Sequence, residues 1–382
     1  MISWDELAEG FRGAFSTEPE AMARAPGRVN LIGEHIDYAG GHVLPVAIDR
    51  GVGVAVRRSH GDTFHLLAPD IAEDMLVFLP EAAKPPGAAA FLWVLAEHLD
   101  AAPMDVFVHG DLPIGMGLAS SAAYCVALAM AMEALNESSS SLTKLELAHL
   151  CMEVEREATG VGCGLMDPYA AILGRQGYAL LLDCSEETHR EVPLDLGDAW
   201  LLVVDSAKPR LLAESGYNER RREVAELVEA VRRRVGAFAR LWELPVEKLE
   251  AVRGDLTPVL QRRLRHLLSE EPRVMSFVEA LEATDLKRMG ELLVESHLSL
   301  RDDYEVSCAE LDFLVDELRK LRGVVGARLL GGGFGGSVLA LVSQSEAEGI
   351  AQEISDHYYQ RFALTARCLV VTSGEGAEAG RG

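Results

Sequence analysis

The residues that could do chemistry in this sequence are concentrated in three separated stretches rich in glycine. One of them, HGDLPIGMGLASSAA (109–123), follows a β-rich run and leads into an Ala-rich helical segment that opens with Ser120 and Ser121. Glycines let the backbone approach a ligand closely, and free N–H groups at a helix N-terminus favour negative charge. This stretch therefore predicts a phosphate-binding loop. The alternative interpretation is a tight turn of small residues that serves packing.

Two better-known phosphate motifs are excluded in this loop. It is not a Walker A loop, because no Gly-Lys-Ser/Thr follows at the required spacing. It is not a dinucleotide fingerprint either, because Ser120 stands at the position of the third glycine. A loop that ends in hydroxyl groups suits phosphate and Mg²⁺ better.

The other two stretches are APGRVNLIGEHIDYAGG (25–41) and RLLGGGFGGSVLALV (328–342). In the first, Glu34, His35 and Asp37 follow a predicted strand. Carboxylates accept hydrogen bonds and imidazole can donate or accept, which suits a ligand with several hydroxyl groups. A metal site or simple solvated polarity are the alternatives, and the spacing E-H-x-D matches no common metal signature.

Taken together, the three stretches resemble the motifs of the galactokinase, homoserine kinase, mevalonate kinase and phosphomevalonate kinase (GHMP) superfamily. The stretch 25–41 is similar to the galactokinase form of the first motif, as are SGYNERR (215–221) and SHLSLRDDYEVSCAELDFLV (296–315). The resemblance implies an α+β, two-domain GHMP kinase fold. Its N-terminal domain would be like ribosomal protein S5 domain 2, and its C-terminal domain would be an α+β sandwich-like unit.

By this resemblance, Asp167 in GCGLMD (162–167) is the catalytic acid and Arg28 is its basic partner. A sugar hydroxyl must lose a proton as it attacks the γ-phosphorus of ATP, and a carboxylate within hydrogen-bond reach can accept that proton. Arg28 is expected to hold Asp167 ionised and to stabilise charge on the transferred phosphoryl group. Without the motifs, a lone Arg and a lone Asp would be read as structural residues.

The resemblance also assigns the remaining site residues. Those that contact the sugar are Glu34, His35, Ile36, Asp37, Gly164 and Tyr217. Those that hold the ATP phosphates are Gly115, Met116, Gly117, Leu118, Ala119, Ser120 and Ser121. The magnesium ligands are Ser121 and Glu155. From its helical pattern alone, Glu155 would be an ordinary surface acid.

The function expected from the resemblance is ATP-dependent phosphorylation of galactose at its anomeric hydroxyl, with Mg²⁺ as the metal. Ile36, Ala39 and Pro168-Tyr169 depart from the usual galactokinase pattern, which leaves N-acetylgalactosamine or arabinose open as the sugar. The residues around the adenine are not identified. A non-catalytic sugar sensor is a second hypothesis from a different class, but Ser120, Ser121 and Ala122 are intact in the phosphate loop.

Composition narrows the possible partners. The chain has 382 residues and a formal net charge of −24, which argues against nucleic acid and against anionic membranes as partners. Its six cysteines are far apart with no CxxC pair, and no signal peptide is recognised, so a cytoplasmic location is expected. The apolar segment Ala122–Leu135 is too short to span a bilayer. Protein partners are not identified.

Several elements are predicted to position these residues. A short helix is expected over residues 2–15, and a capping box, Thr143-Lys-Leu-Glu146, starts a helix that ends at Gly160. The polar stretch 185–197 separates a first domain (1–190) from a second one (191–372), with a serine linker at 138–141 and a flexible tail at 373–382. The second domain is largely helical, with Pro258–Leu268 and Val274–Leu281 among its helices.

Overall fold

The computed structural model describes residues 1–72, 74–80, 83–135, 142–208 and 213–381, so the predicted linker at 138–141 lies outside the described residues. Within these ranges helices are combined with β-sheets, which confirms the predicted α+β class. The strands are β1 (Ala21–Asn30), β2 (His42–Val43), β3 (Pro45–Arg58), β4 (Phe64–Leu67), β5 (Leu76–Phe78), β6 (Met104–Gly110), β7 (Tyr178–Asp183), β8 (Thr188–Pro193), β9 (Ala199–Asp205), β10 (Val324–Leu330), β11 (Ser337–Ser343), β12 (Arg367–Val371) and β13 (Glu378–Arg381). The helices are α1 (Trp4–Phe15), α2 (Ala88–Leu99), α3 (Ser120–Leu135), α4 (Lys144–Thr159), α5 (Met166–Leu173), α6 (Ala213–Val235), α7 (Val246–Arg253), α8 (Pro258–Glu282), α9 (Leu286–Asp302), α10 (Ala309–Leu318) and α11 (Ala347–Phe362).

The first sheet has the strand order β13-β1-β3-β6-β4-β5 and separates two apolar layers. Successive side chains of a strand point to opposite faces. Accordingly Val54 and Val56 of β3 join the main core, whereas Ala55 between them packs with Phe11 of α1 and Phe107 of β6 in a smaller cluster. This alternation places α1 on one face and α3 on the other.

Helix α3 lies at the centre of the first domain, where it contacts β1, β3, α4 and α5. It is apolar around most of its circumference, as expected for a helix with neighbours on several sides. Its many alanines let these neighbours come close. Among the described helices, none combines the length and the apolar character that crossing a membrane requires.

The second sheet has the order β10-β11-β9-β12, with α9, α10 and α11 packed against it. Strand β11 lies between β10 and β9, and its residues are buried as far as Val342. A small third sheet, β2-β7-β8, lies beside α8. The predicted capping box of α4 is confirmed, with Thr143 and Glu146 bonded reciprocally and Gly160 at a φ of 75° after the last turn.

Two helical predictions differ from the structure in an informative way. The sequence predicts separate helices over Pro258–Leu268 and Val274–Leu281. The structure contains one helix, α8, with Pro272 inside it. Residues on both sides of the proline, including His266 and Phe277, are fully buried. Packing along the whole helix therefore outweighs the hydrogen bond that the proline removes.

The predicted flexible tail, 373–382, is wrong for its described part. Strand β13 pairs with β1, Ser373 forms a bridge with Ile48, and the amide of Ala377 donates to the Ala171 carbonyl at 2.7 Å. The polar, glycine-rich composition gives no sign of this strand, because the segment is attached through backbone hydrogen bonds and not through apolar side chains. The predicted domain boundary at residue 190 falls inside β8, and we place it between β8 and β9, which belong to different sheets.

Candidate active site

The segment between β6 and α3 is a loop whose backbone conformation depends on its glycines. Gly115 and Gly117 have φ values of 84° and 75°, in the left-handed region that glycine adopts most easily. Ala119 also lies there, at 58°, and is a strained position for a residue with a side chain. Helix α3 begins at the next residue, Ser120, as the sequence predicts.

Three consecutive carbonyls of this loop accept hydrogen bonds from residues of β1 and β11. The Met116 carbonyl accepts from the Ser337 hydroxyl at 2.6 Å, and the carbonyls of Gly117 and Leu118 accept from the Arg28 side chain and backbone at 2.7 and 3.0 Å. In a planar trans peptide the N–H points opposite to the C=O. The N–H groups of the following three residues therefore point away from these donors, and none has an acceptor among the described residues. Such free amides at a helix N-terminus can bind an anion.

Arg28 and Asp167 meet beside this loop. The Arg28 Nε and Nη2 atoms donate to the two carboxylate oxygens of Asp167 at 2.8 and 2.7 Å, a bidentate pair. Asp167 lies in the first turn of α5 and Arg28 lies on β1, so the fold joins residues from two elements. Burial lowers the pKa of Arg28, but Asp167 and Glu34 more than compensate and raise it, so Arg28 stays charged.

Gly27 explains how the phosphate loop comes so close to β1. The pairing of β1 with β3 shifts register between Pro26 and Arg28. A Cβ at Gly27 would lie 2.6 Å from the Leu118 carbonyl oxygen, closer than any side chain tolerates. The glycine of the PGR sequence is therefore required for the close approach of the two backbones.

Glu34 is fixed by the second domain. Its Oε1 accepts from the Arg328 guanidinium at 3.1 Å and from the Gly331 amide at 2.8 Å. Burial raises the pKa of Glu34, but Arg328 and Arg28 outweigh it and lower the pKa overall. The carboxylate is therefore ionised inside the protein, where a hydroxyl of a ligand could donate to it.

His35 is neutral and its tautomer follows from its partners. Its Nε2 lies 3.2 Å from the Gly332 carbonyl, which can only accept, so Nε2 carries the proton and Nδ1 accepts from the Tyr38 hydroxyl at 2.9 Å. Burial lowers the pKa of His35 to about 3. The Tyr38 hydroxyl in turn lies 2.6 Å from that of Tyr304. Both ring nitrogens are thus engaged within the protein.

Asp37 and Gly164 are neighbours across the cleft. A Cβ on Gly164 would collide with the Asp37 carboxylate, so a glycine is needed there. Burial, with a smaller effect of Asp167, raises the pKa of Asp37 to about 6. Tyr217 of α6 completes this wall, with its ring centroid 5.5 Å from that of His35.

Glu155 is a buried acid in contact with the phosphate loop. The Ser121 hydroxyl donates to its Oε1 at 2.5 Å, and only 8% of Glu155 is exposed. Burial raises the pKa of Glu155 to about 7. Interpreting it as an ordinary surface acid is therefore wrong.

These residues line one cleft with a volume of ≈ 380 Å³. Its lining contains nearly all of the residues that the sequence singles out: Arg28, Glu34, His35, Asp37, Gly115, Gly117, Leu118, Ala119, Ser120, Ser121, Glu155, Gly164, Asp167 and Tyr217. Two predicted residues are not among them. The Ile36 side chain is fully buried against Gly41, and the Met116 side chain is buried behind the loop. Ile36 lies between His35, whose φ of 65° is left-handed, and the short 3-10 helix Asp37–Ala39, and this tight turn directs its side chain into the core while its two neighbours line the cleft.

Sequence reasoning missed the supports that the second domain gives to the sugar loop (residues 31–42). His266 Nε2 donates to the Glu34 carbonyl at 3.0 Å, Glu270 accepts from the Gly33 amide at 3.1 Å, and Glu271 accepts from the His42 amide at 2.9 Å. All three supports lie on one stripe of α8. The sequence did contain a sign of these supports: His266, Glu270 and Glu271 are polar residues on the side of α8 that would be apolar in an ordinary amphipathic helix.

We expect one of these contacts to make stability depend on pH. His42 Nδ1 lies 2.7 Å from Glu271, with Asp183 and Arg240 also facing the ring, and the bond with Glu271 raises the pKa of His42 above 6.5. A raised folded pKa stabilises the protein below the unfolded pKa, and this stabilisation is lost as pH rises through the folded value. The melting temperature should therefore fall as the pH rises above about 6.5, and more steeply than in a His42→Gln variant. Parallel curves for the two proteins would contradict the prediction.

Three protein-family models match this chain, and two of them cover most residues of the cleft described above. The galactokinase galactose-binding signature matches residues 9–58, the GHMP kinases N-terminal domain matches 88–175, and the GHMP kinases C-terminal domain matches 277–360. The first of these regions contains the sugar loop and Arg28. The second contains the phosphate loop, Glu155 and Asp167.

Relatives that align with nearly the whole chain are galactokinases as well. The chain is 38% identical to a galactokinase of Roseiflexus sp. (strain RS-1), over 98% of this chain and 97% of that protein. It is 36% identical to a galactokinase of Thermotoga maritima, over 93% of this chain and 99% of that protein.

Solved structures show the same relationship. The crystal structure of Lactococcus lactis galactokinase complexed with galactose matches with a TM-score of 0.89 and 30% identity, covering 98% of this chain and 99% of that one. A Methanococcus jannaschii mevalonate kinase, at 19% identity and a TM-score of 0.62 over 93% of this chain and 98% of that one, shares the fold. With its two-domain GHMP kinase fold and its full-length relatives, the chain belongs to the galactokinase family.

Proposed function

We propose that this chain is an ATP-dependent galactokinase, which transfers the γ-phosphate of ATP to the anomeric hydroxyl of galactose and releases galactose 1-phosphate and ADP. The observation that carries the proposal is the meeting of three features in one cleft: the Arg28–Asp167 pair, the free amides of the phosphate loop, and the sugar loop. Its galactokinase relatives support the choice of galactose.

Asp167 acts as the general base in this proposal. Its carboxylate is already bonded to Arg28, and each carboxylate oxygen keeps a further lone pair for a hydroxyl proton. As the sugar oxygen attacks the γ-phosphorus, the proton passes to Asp167 and the bond between the β- and γ-phosphates breaks. The leaving ADP remains bound to the loop amides.

Arg28 has donors to spare for the reacting phosphate. Its Nε and Nη2 bond Asp167 and its Nη1 bonds the Gly117 carbonyl, which uses three of the five N–H groups of a guanidinium. The other two can stabilise charge on the phosphoryl oxygens in flight. Arg28 would then orient both the base and the phosphate loop.

The sugar would be recognised by the side of the cleft that contains Asp37, Gly164 and Tyr217. Of the polar residues in the sugar loop, Glu34 and His35 are bonded mainly to protein partners. Asp37 lines the cleft, and its carboxylate accepts no hydrogen bond from another side chain among the described residues. We therefore assign Asp37 as the main acceptor for sugar hydroxyls, with the flat ring of Tyr217 and the backbone at Gly164 beside it.

The donors present at the phosphate loop fit Mg²⁺. Ser121 and Glu155 offer oxygen ligands, and a buried carboxylate whose pKa is raised to about 7 would be stabilised by a cation. The described residues contain no group of three or more His, Cys, Asp or Glu side chains that could hold a metal by themselves, without ligands from a bound nucleotide. This agrees with the usual binding of Mg²⁺ by one or two protein ligands together with phosphate oxygens, whose charge it neutralises.

The Glu155→Gln variant should need at least about tenfold more Mg²⁺ for half-maximal turnover, because the amide keeps the shape but offers a neutral ligand. A magnesium titration of the initial rate measures this. Glu153→Gln, which changes an exposed acid on the same helix, serves as the matched control and should leave the requirement unchanged. Equal magnesium curves for the two variants would argue against Glu155 as a ligand.

We place the reaction in the cytoplasm. All six cysteines of the chain lie in the described residues and are free, which is typical of a reducing compartment. The partners proposed are small molecules, a sugar and ATP.

A sugar panel tests the function directly. The protein is incubated with ATP, Mg²⁺ and, separately, galactose, N-acetylgalactosamine and arabinose; ADP release is followed by a coupled assay and the product by ³¹P NMR. We expect the highest kcat/KM with galactose and a phosphate on its anomeric carbon. A clear preference for another sugar would correct the substrate. Absence of ADP release with every sugar would instead favour the sugar sensor.

A further inference from the structure

The turn between β10 and β11 (residues 331–336), with Ser337 after it, contacts both loops of the cleft. On the sugar side, its Gly331 amide donates to Glu34 and its Gly332 carbonyl accepts from His35. On the phosphate side, the Ser337 hydroxyl donates to the Met116 carbonyl at 2.6 Å. The contacts on the sugar side use the backbone of the turn. The contact on the phosphate side is made by a side chain, which a substitution can remove.

Ser337 is held rigidly. It is the first residue of β11, where it is paired with Leu330 of β10 on one side and with Asp205 of β9 on the other. It is fully buried. A hydroxyl fixed between two strands has little freedom, so its position defines where the Met116 carbonyl must lie.

The peptide that Ser337 holds has a buried Met116 side chain before it and a Gly117 carbonyl bonded to Arg28 after it, but Ser337 supplies the hydrogen bond to the peptide itself. This peptide joins Met116 to Gly117 and is flanked by Gly115, and glycines, which have no Cβ, allow a peptide more orientations than other residues do. Among the described residues the Met116 carbonyl has no other donor. If this peptide rotated, its carbonyl would replace its N–H on the cleft side. A carbonyl oxygen facing a phosphate is repulsive, whereas an N–H is attractive.

We propose that Ser337 is a positioning residue for ATP. It acts through the Met116–Gly117 peptide, whose N–H it directs toward the nucleotide phosphates. The inference rests on the proposed function, since it needs ATP in this loop. It assigns to the second domain a direct part in shaping the phosphate site of the first.

Two substitutions test the role. Ser337→Ala removes the donor, and Ser337→Cys keeps a similar volume with a weaker donor. We expect the KM for ATP and the Kd for ADP to rise about tenfold in the alanine variant and less in the cysteine variant, the size expected when a buried carbonyl loses its partner. The KM for galactose should stay within about twofold of the original value, since no sugar contact is removed.

Ser355→Ala is the matched control. The Ser355 hydroxyl also donates to a backbone carbonyl, that of Ala366 at 3.1 Å, on the outer helix α11. This variant should leave both KM values unchanged. Melting temperatures measured in parallel separate a general loss of stability from a specific loss of nucleotide binding.

The outcomes are distinct. An unchanged affinity for ADP in Ser337→Ala, or equal rises in the KM for ATP and for galactose, would overturn the positioning role. If the unaltered protein binds ADP but phosphorylates no sugar, the proposed function fails, while the ADP affinities of the variants still decide the role of Ser337. If it does not bind ADP, both proposals fail.

Discussion

The Asp167→Asn variant is expected to lose turnover by roughly a thousandfold or more while it still binds galactose. Asparagine has almost the same shape, so the cleft should keep its form. It cannot accept the proton from the sugar hydroxyl, and it leaves Arg28 without the carboxylate that it grips at 2.7 and 2.8 Å. The rate is measured by the coupled ADP assay, and galactose binding by titration calorimetry.

Asp205→Asn is the matched control for this prediction. Asp205 is also a buried carboxylate bonded by an arginine, Arg367, but it lies in the second domain. Its substitution should lower the melting temperature without a comparable loss of kcat. A turnover in Asp167→Asn within about tenfold of the original would refute Asp167 as the base.

The second large effect is expected for Arg28→Lys. Lysine keeps the charge but lacks the planar fork, so it cannot bond both oxygens of Asp167 and the Gly117 carbonyl together. The kcat/KM for ATP should fall by about 10²–10³-fold, because the base and the phosphate loop lose their common support. Steady-state kinetics with ATP as the varied substrate measures the loss.

Arg263→Lys tests whether this effect is specific. Arg263 is as buried as Arg28 and bonds Glu223 and the Asp303 carbonyl in the second domain. Its replacement should affect mainly stability. The Arg28→Lys and Asp167→Asn changes should also be far from additive, because each breaks the same pair. Additive losses would show that the two side chains act independently.

The local features of the site could be predicted from the sequence because short-range chemistry determines them. The helix start at Ser120, the capping box at Thr143 and the glycine-dependent turn at Gly115–Gly117 each depend on neighbouring residues alone. The resemblance to known kinases supplied the long-range part. It paired Arg28 with Asp167, which are 139 residues apart, and the structure brings them together.

The features that were missed depend on partners far away in the chain. Neither the burial of Glu155 nor the orientation of Ile36 can be read from neighbouring residues, because both follow from what packs against them. The polar side chains of α8 that support the sugar loop, His266 and Glu270, bond backbone groups more than 200 residues away in the chain. Hydrogen bonds between distant backbones leave no pattern in the side chains.

Strand β13 has a consequence for how the protein is made. A ribosome delivers β1 early, but the strand that completes its outer side, Glu378–Arg381, emerges more than 340 residues later. During translation β1 is therefore the open edge of its sheet, and an open edge can pair with another nascent chain. The β1 edge of this sheet is therefore covered only after residue 381 has been synthesised, and until then it can mispair.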